Sequence, residues 1–184
     1  MFLVKKLPLL IMLTAFTSQA YAESELEEKA KALSVLKQYS ETVACGTNLE
    51  EQESLEPLLK DIYTIERDDL SGATYYVLWQ GDVGCLGGSG TTYFYISEIG
   101  RDSNAKPFLV KSDNAFGKQF SEEINSRFIE SVKKINPNHF IVISSDFSGS
   151  DSNNFPSMKY QYVLQRQNWE WKITSKTLLK SSLD

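Results

Sequence analysis

The sequence has few of the residues on which metal binding and nucleophilic catalysis most often depend. Its 184 residues include two cysteines and one histidine, with no Cys-x-x-Cys pair. This composition excludes a zinc site built from the usual cysteine and histidine ligands. The single histidine, His139, could act as a general base only if the fold brought a nucleophile to it, and no serine stands in the Gly-x-Ser-x-Gly frame of a nucleophile elbow. We therefore expect no metal, no cofactor and no histidine-dependent catalysis.

Long apolar segments are equally scarce. The one at residues 7–16 follows two lysines and precedes the small-residue motif Ala-Tyr-Ala at residues 20–22. This order is typical of a secretory signal peptide, and an apolar core of about ten residues is too short to span a bilayer. We predict a signal peptide over residues 1–22, cleaved after Ala22, and a single globular domain over residues 23–184. The predicted destination is the periplasm, with secretion as the alternative, and no membrane span is expected.

Basic residues are outnumbered by acidic ones. The chain has 19 lysines and arginines against 24 aspartates and glutamates, a net charge of −5. Removal of the predicted signal peptide, with its two lysines, would make the charge more negative. Such a balance disfavours nucleic acid as a partner. It fits a basic protein partner better, although solubility alone could account for it.

Export places the two cysteines in an oxidising compartment, where a lone pair usually forms a disulfide. We predict a bridge between Cys45 and Cys85. Such a bridge closes a loop of about 40 residues, which the chain-entropy model converts into about 4 kcal/mol of stabilisation.

Cys85 lies in the richest glycine segment of the chain, residues 81–92, here called the glycine loop. Five of its residues are glycines, and aromatic, β-branched sequence flanks it on both sides. No lysine followed by serine or threonine comes after the last glycine, and strand-like sequence stands where a phosphate loop needs a helix, so nucleotide binding is disfavoured. We predict a long hairpin connection pinned by Cys85, with a recognition loop as the functional alternative. The candidate binding residues are Trp79, Asp82, Leu86, Ser89, Thr91 and Tyr93.

The remaining pattern predicts one long helix followed by strands. A capping box from Ser24 to Glu27 opens an apolar stripe that predicts a helix over about residues 24–44, ended by Gly46. A second short helix is predicted from about Asn48, ending before Pro57. From residue 59 to residue 176 the apolar period becomes two, which predicts about eight short strands. These strands cover residues 62–65, 75–79, 93–96, 108–110, 128–135, 139–145, 160–164 and 169–173, with a helical turn at 121–125.

The predicted fold class is therefore α+β and mostly β. An N-terminal helix packs on antiparallel strands arranged as a sandwich, a barrel or a curved sheet. Because both faces of the strands at 75–79 and 93–96 are apolar, we expect that part of the sheet to be covered on both sides. The last hairpin is expected to turn at residues 167–168, with Trp169 and Trp171 on one face.

Carboxylates offer the one catalytic alternative. Asp82, Glu98, Asp146 and Asp151 lie in or beside predicted loops and could form the carboxylate pair of an envelope hydrolase. Their spacing in sequence fixes no separation. The oxygen-rich segment 146–154 could also hold Ca²⁺, but it lacks the residue order of an EF-hand loop.

These observations favour a non-enzymatic exported protein that binds another protein, in the manner of an inhibitor or an immunity protein. A binding protein for a small molecule, glycan or lipid of the cell envelope, with a cavity between sheet and helix, is the alternative. A hydrolase that uses paired carboxylates is the third hypothesis.

Overall fold

A computed structural model describes residues 23–49, 56–68, 71–88, 90–152 and 154–180. The architecture is α+β and mostly β, as predicted, with two antiparallel sheets. The predicted signal peptide, residues 1–22, lies outside the described residues. The elements are α1 (Glu25–Val43), β1 (Ala44–Thr47), α2 (Glu56–Leu59), β2 (Ile62–Asp68), β3 (Gly72–Val83), β4 (Tyr93–Arg101), β5 (Leu109–Ser112), α3 (Gly117–Glu123), a 3₁₀ turn (Ser126–Phe128), β6 (Ile129–Asn136), β7 (His139–Asp146), β8 (Met158–Gln167) and β9 (Glu170–Lys180).

Strand β3 organises the first sheet. The strand order is β1-β3-β4-β5, and β2 also pairs with β3. Because β4 pairs along β3 from Ala73 to Gly81, strands β1 and β2 share the other side of β3. The second sheet is a meander in the order β6-β7-β8-β9.

Both faces of β3 are buried, as the sequence predicted. Tyr75, Val77 and Trp79 pack against α1, together with Leu33 and Leu36. Successive side chains of a strand point to opposite faces, so the intervening residues face the second sheet. That second cluster contains Tyr76, Ile96, Phe140, Tyr162 and Trp171. The molecule is therefore a β-sandwich with α1 as a third layer.

The N-terminal helix begins as predicted. Ser24 Oγ accepts a hydrogen bond from the Glu27 amide at 3.3 Å, and the Glu27 carboxylate accepts one from the Ser24 amide at 2.9 Å. The prediction that Gly46 ends the helix is wrong, because Ala44 is already extended and starts β1. Pairing with β3 specifies this four-residue strand, and such pairing leaves no local sequence pattern.

Two other local predictions need correction. Pro57 lies inside α2, near its start, rather than ending a helix, since a proline in the first turn loses no internal hydrogen bond. The rest of the predicted second helix, residues 50–55, lies outside the described residues. The predicted helical turn at 121–125 overlaps the end of α3, which begins earlier, at Gly117, and ends at Glu123.

Trp169 does not join Trp171 on a buried strand face. Gln167 pairs with Glu170, so the two-residue turn is Asn168-Trp169, one position later than predicted. Both turn residues have positive φ, 51° and 68°, as a tight hairpin of right-handed strands requires. Trp169 is consequently 81% exposed.

A buried ionic network ties α1 to the first sheet. Glu28, only 3% exposed, accepts hydrogen bonds from Arg101 Nη2 at 2.9 Å and Tyr75 Oη at 2.6 Å. Arg67 Nε adds a contact of 3.2 Å to the same carboxylate. The guanidinium of Arg67 also donates to the backbone oxygen of Glu23 at 2.6 Å. Both arginines thus donate to one buried carboxylate, and Arg101 also pairs with Glu23 Oε2 at 3.4 Å.

We predict that Glu28→Gln destabilises the protein by about 3 kcal/mol, because it neutralises the buried carboxylate to which two arginines and a tyrosine donate. Glu41→Gln, on the exposed side of the same helix, should change stability by less than about 0.5 kcal/mol. Urea unfolding of both variants measures the difference. Equal midpoints for the two variants would contradict a structural role for the network.

Candidate functional site

The glycine loop lies at one end of the first sheet. Strand β3 extends to Val83 and β4 starts at Tyr93, so the connection itself covers residues 84–92. The predicted disulfide is present, with the Cα atoms of Cys45 and Cys85 5.0 Å apart. It joins β1 to the start of the connection and therefore anchors the loop to the sheet.

The start of the connection is held by one carboxylate. Asp82 accepts hydrogen bonds from the backbone amides of Leu86 at 3.4 Å and Gly87 at 3.0 Å. Cys85 has a φ of 58°, which is uncommon for a residue other than glycine and is held here between the disulfide and the Asp82 contacts. Asp82 therefore shapes the loop from within.

A second loop, residues 147–157, joins β7 to β8 at the same end of the molecule. Asp151 closes it by accepting hydrogen bonds from the Ser148 amide at 2.6 Å, the Ser157 amide at 2.8 Å and the Ser157 hydroxyl at 2.9 Å. The Ser148 amide is the largest cause lowering the Asp151 pKa from its ordinary 3.8 to about 2. The carboxylate is therefore charged, and its Oδ2 atom accepts all three of these bonds from its own loop.

Arg127 links the two loops. Its guanidinium donates to Oδ1 of Asn154, and a Cβ atom placed on Gly90 would collide with the same guanidinium. The guanidinium carbon lies 5.1 Å from the ring centre of Phe128, whose ring in turn meets that of Phe147 edge-to-face at 5.4 Å. The glycine loop, the 3₁₀ turn and the second loop thus form one continuous end of the sandwich.

Five exposed apolar side chains lie at this end. Leu86 and Phe155 are each 75% exposed, and Val83, Tyr93 and Phe147 are each a little over one third exposed. We call this set the loop-end surface: Val83, Leu86, Tyr93, Phe147 and Phe155, together with Arg127, which lies between the two loops. Exposed apolar side chains grouped at one end of a protein mark contact sites, and arginine is enriched at protein interfaces.

The structure separates the residues predicted for the binding loop. Leu86 and Tyr93 lie on the loop-end surface. Thr91 donates its hydroxyl proton to the Gly88 carbonyl at 3.1 Å, and Ser89 lies outside the described residues. Trp79 is 1% exposed and donates to Ser97 Oγ at 2.9 Å, so it supports the loop from the core and does not reach its surface.

Four contributors were missed from the sequence, one of which, Val83, lies in the glycine loop itself. Phe147 and Phe155 are apolar residues inside a polar, turn-rich segment, a contrast that could have identified them. No local sequence pattern identifies Arg127, because its role depends on the approach of two loops from different sheets.

Three of the four carboxylates considered for hydrolysis, Asp82, Asp146 and Asp151, accept hydrogen bonds from nearby backbone amides. Asp146 accepts hydrogen bonds from Asn125 Nδ2 at 3.2 Å and the Phe147 amide at 2.9 Å. Glu98 is partly buried on β4, and desolvation raises its pKa. His139 starts β7, at the opposite end of the second sheet from the loop-end surface. Across the part of the chain described here, no three histidine, cysteine or acidic residues come close enough to hold a metal ion.

We predict that replacing both Cys45 and Cys85 by serine lowers the free energy of unfolding by up to about 4 kcal/mol, because the bridge constrains a 40-residue loop. Amide hydrogen exchange should accelerate most in residues 84–88, while the second sheet keeps its protection. Wild-type protein treated with a thiol reductant should reproduce the pattern. Uniform acceleration across both sheets would contradict the local role of the bridge.

The second loop should respond to acid at an unusually low pH. Because the folded pKa of Asp151 is about 2 and its ordinary value is 3.8, the stabilisation from this carboxylate is complete above pH 3.8 and is lost as the pH falls through about 2. The amide resonances of Ser148 and Ser157 should titrate with that midpoint in NMR spectra. Asp151→Asn should abolish the titration, and a midpoint near 3.8 would show that the carboxylate is not held as described.

Comparisons with models of known protein families, with curated protein sequences and with solved structures find no significant match to this chain. Among the described residues, no helix combines the length and the apolar character needed to cross a membrane. The function of the loop-end surface must therefore be inferred from its own geometry and chemistry.

Proposed function

We propose that the protein is a non-enzymatic binder of another protein and that the loop-end surface is its contact site. The observation that carries the proposal is the exposure of Leu86 and Phe155 on two separately anchored loops that Arg127 joins. Arginine is among the residues that most often dominate binding energy, and aromatic residues such as Phe155 are enriched at protein interfaces. Each loop is already held by contacts of its own, so little conformational entropy would be lost when a partner binds.

The type of partner follows from the surrounding charge. Asp82, Asp146 and Asp151 lie on or beside the loops that frame the surface, and the whole chain carries a net charge of −5. Arg127 is the one cation that we place within the loop-end surface. A basic protein surface would have the complementary charge, and the attraction between opposite charges would raise its association rate. Presentation of rigid loops from a disulfide-tied β-sandwich resembles the way inhibitors and immunity proteins meet their targets.

Export belongs to the same proposal. A signal peptide over residues 1–22 would deliver the domain to the periplasm, or to the medium if it is secreted. Cleavage after Ala22 would keep both Ser24, the N-cap of α1, and Glu23, whose backbone oxygen accepts from Arg67, in the mature domain. The disulfide is compatible with an oxidising compartment.

The test begins by identifying the partner with a position-specific cross-linker. A photoreactive amino acid at position 86 should capture one protein from an extract of the cell envelope, and the same group at position 169, at the opposite end, should not. The captured protein is then purified, and its affinity for the variants is measured by calorimetry.

We predict that Leu86→Ala and Phe155→Ala each weaken binding by about tenfold or more, since each removes an apolar anchor from the contact. Leu109→Ala is the matched control, because Leu109 is 54% exposed on β5, near the other end of the sheet. Equal affinities for the Leu86 and Leu109 variants would refute the proposed contact site.

A further inference from the structure

A cleft of about 660 Å³ opens between the two sheets where the edge strands β2 and β6 separate. None of the loop-end surface residues lines it. Its volume lies within the range of about 300–1,000 Å³ that small-molecule sites occupy. The cleft therefore offers a second binding site, independent of the protein contact proposed above.

The floor of the cleft is apolar. Leu78, Phe94 and Val132 are partly buried and pack against the core that lies between the sheets. Tyr63 completes the floor, and its hydroxyl donates to the Val132 carbonyl at 3.0 Å. The proton of the tyrosine hydroxyl is thus already donated within the protein. The floor therefore suits a hydrocarbon chain better than a sugar, because the hydroxyl groups of a sugar would need hydrogen-bond partners there.

Two side-chain hydrogen bonds also disfavour a peptide strand as the occupant. The Tyr63 contact uses the Val132 carbonyl of β6, and Lys134 Nζ donates to the Thr64 carbonyl of β2 at 2.6 Å. A peptide that extends either sheet would need main-chain groups of these edge strands. Both carbonyls are already occupied by contacts that hold the two sheets together.

The rim of the cleft is locally basic in an acidic protein. Lys60 and Lys133 line it, are exposed and make no ion pair with any described residue. Of the two acidic residues on the rim, Glu130 is paired with Lys159 at 2.6 Å. The other is Asp61, which is partly buried. Asp61 interacts electrostatically with its neighbour Lys60, and desolvation raises the pKa of this carboxyl group. An anionic group at the rim would therefore meet two exposed lysines, neither of them in an ion pair with a described residue.

We propose that this cleft binds an anionic amphiphile with a single alkyl chain. The chain lies on the floor formed by Tyr63, Leu78, Phe94 and Val132, and the acidic head group contacts Lys60 and Lys133. Free carboxylates of medium chain length are the simplest members of this class. Each CH₂ group transferred from water to the floor should strengthen binding by about fourfold until the cleft is filled.

The test titrates the disulfide-bonded protein with octanoate, decanoate and dodecanoate by calorimetry, with decanol as the uncharged control. We expect saturable binding that strengthens with chain length, weaker binding of decanol, and shifts of the Tyr63 and Phe94 ring resonances. The double variant Lys60→Gln/Lys133→Gln should bind decanoate about fivefold more weakly. Lys106→Gln/Lys118→Gln, which removes two exposed lysines elsewhere, should bind like the wild type. Because all four lysines are exposed, neither double variant should unfold the protein.

Several results would overturn the proposal. One is the absence of saturable carboxylate binding, and another is equal affinity for decanol and decanoate. Binding to anionic vesicles without binding to the free carboxylate would point to a membrane surface instead. An acidic peptide that binds and shifts the β6 amide resonances would assign the cleft to a peptide. Leu86→Ala should leave decanoate binding unchanged, so failure here is distinguishable from failure of the protein contact.

Discussion

Burial of β3 on both faces is the constraint on which the rest of the molecule depends. Tyr75, Tyr76 and Trp79 are large aromatic residues with polar tips, and each tip must find a partner when buried. Tyr75 donates to Glu28 of α1, Trp79 to Ser97 of β4, and Trp171 of the second sheet donates to the Tyr76 oxygen at 3.0 Å. One strand thus specifies, through three directional bonds, how the helix, its neighbour strand and the opposite sheet pack against it.

The two ends of β3 are stabilised by different means, and this difference separates stability from recognition. Near Gly72 the strand lies beside the network around Glu28, where charges are buried and compensated. Beyond Gly81 the strand leaves the core, and Cys85 is fastened by a covalent bond to β1. A covalent fastening needs little buried surface, so side chains such as Leu86 remain exposed without loosening the loop.

The sequence predicted features whose cause is local. Apolar residues on both faces of the strand at 75–79 predicted burial on both sides, Ser24 and Glu27 predicted the start of α1, and the two cysteines predicted the bridge. It did not predict β1, which exists through its pairing with β3, or the link from Arg127 to Asn154. The sequence also did not predict the cleft, because its walls come from strands that are far apart in the chain. Lys134 and Thr64, which are in contact beside it, are 70 positions apart.

Exposure of an aromatic residue is not sufficient to identify a contact site, and Trp169 shows why. It is more exposed than Leu86, yet a single hairpin accounts for its position, through the turn geometry and the Arg166 guanidinium 5.1 Å from its ring centre. The loop-end surface differs because its side chains come from segments of both sheets, which are held together by the contacts of Arg127. Bringing distant segments together costs chain entropy that a solvent-exposed surface does not itself recover. Free energy gained when a partner binds would offset that cost, which gives a physical reason for the arrangement. The tip of a hairpin carries no such cost, so its exposure needs no partner to explain it.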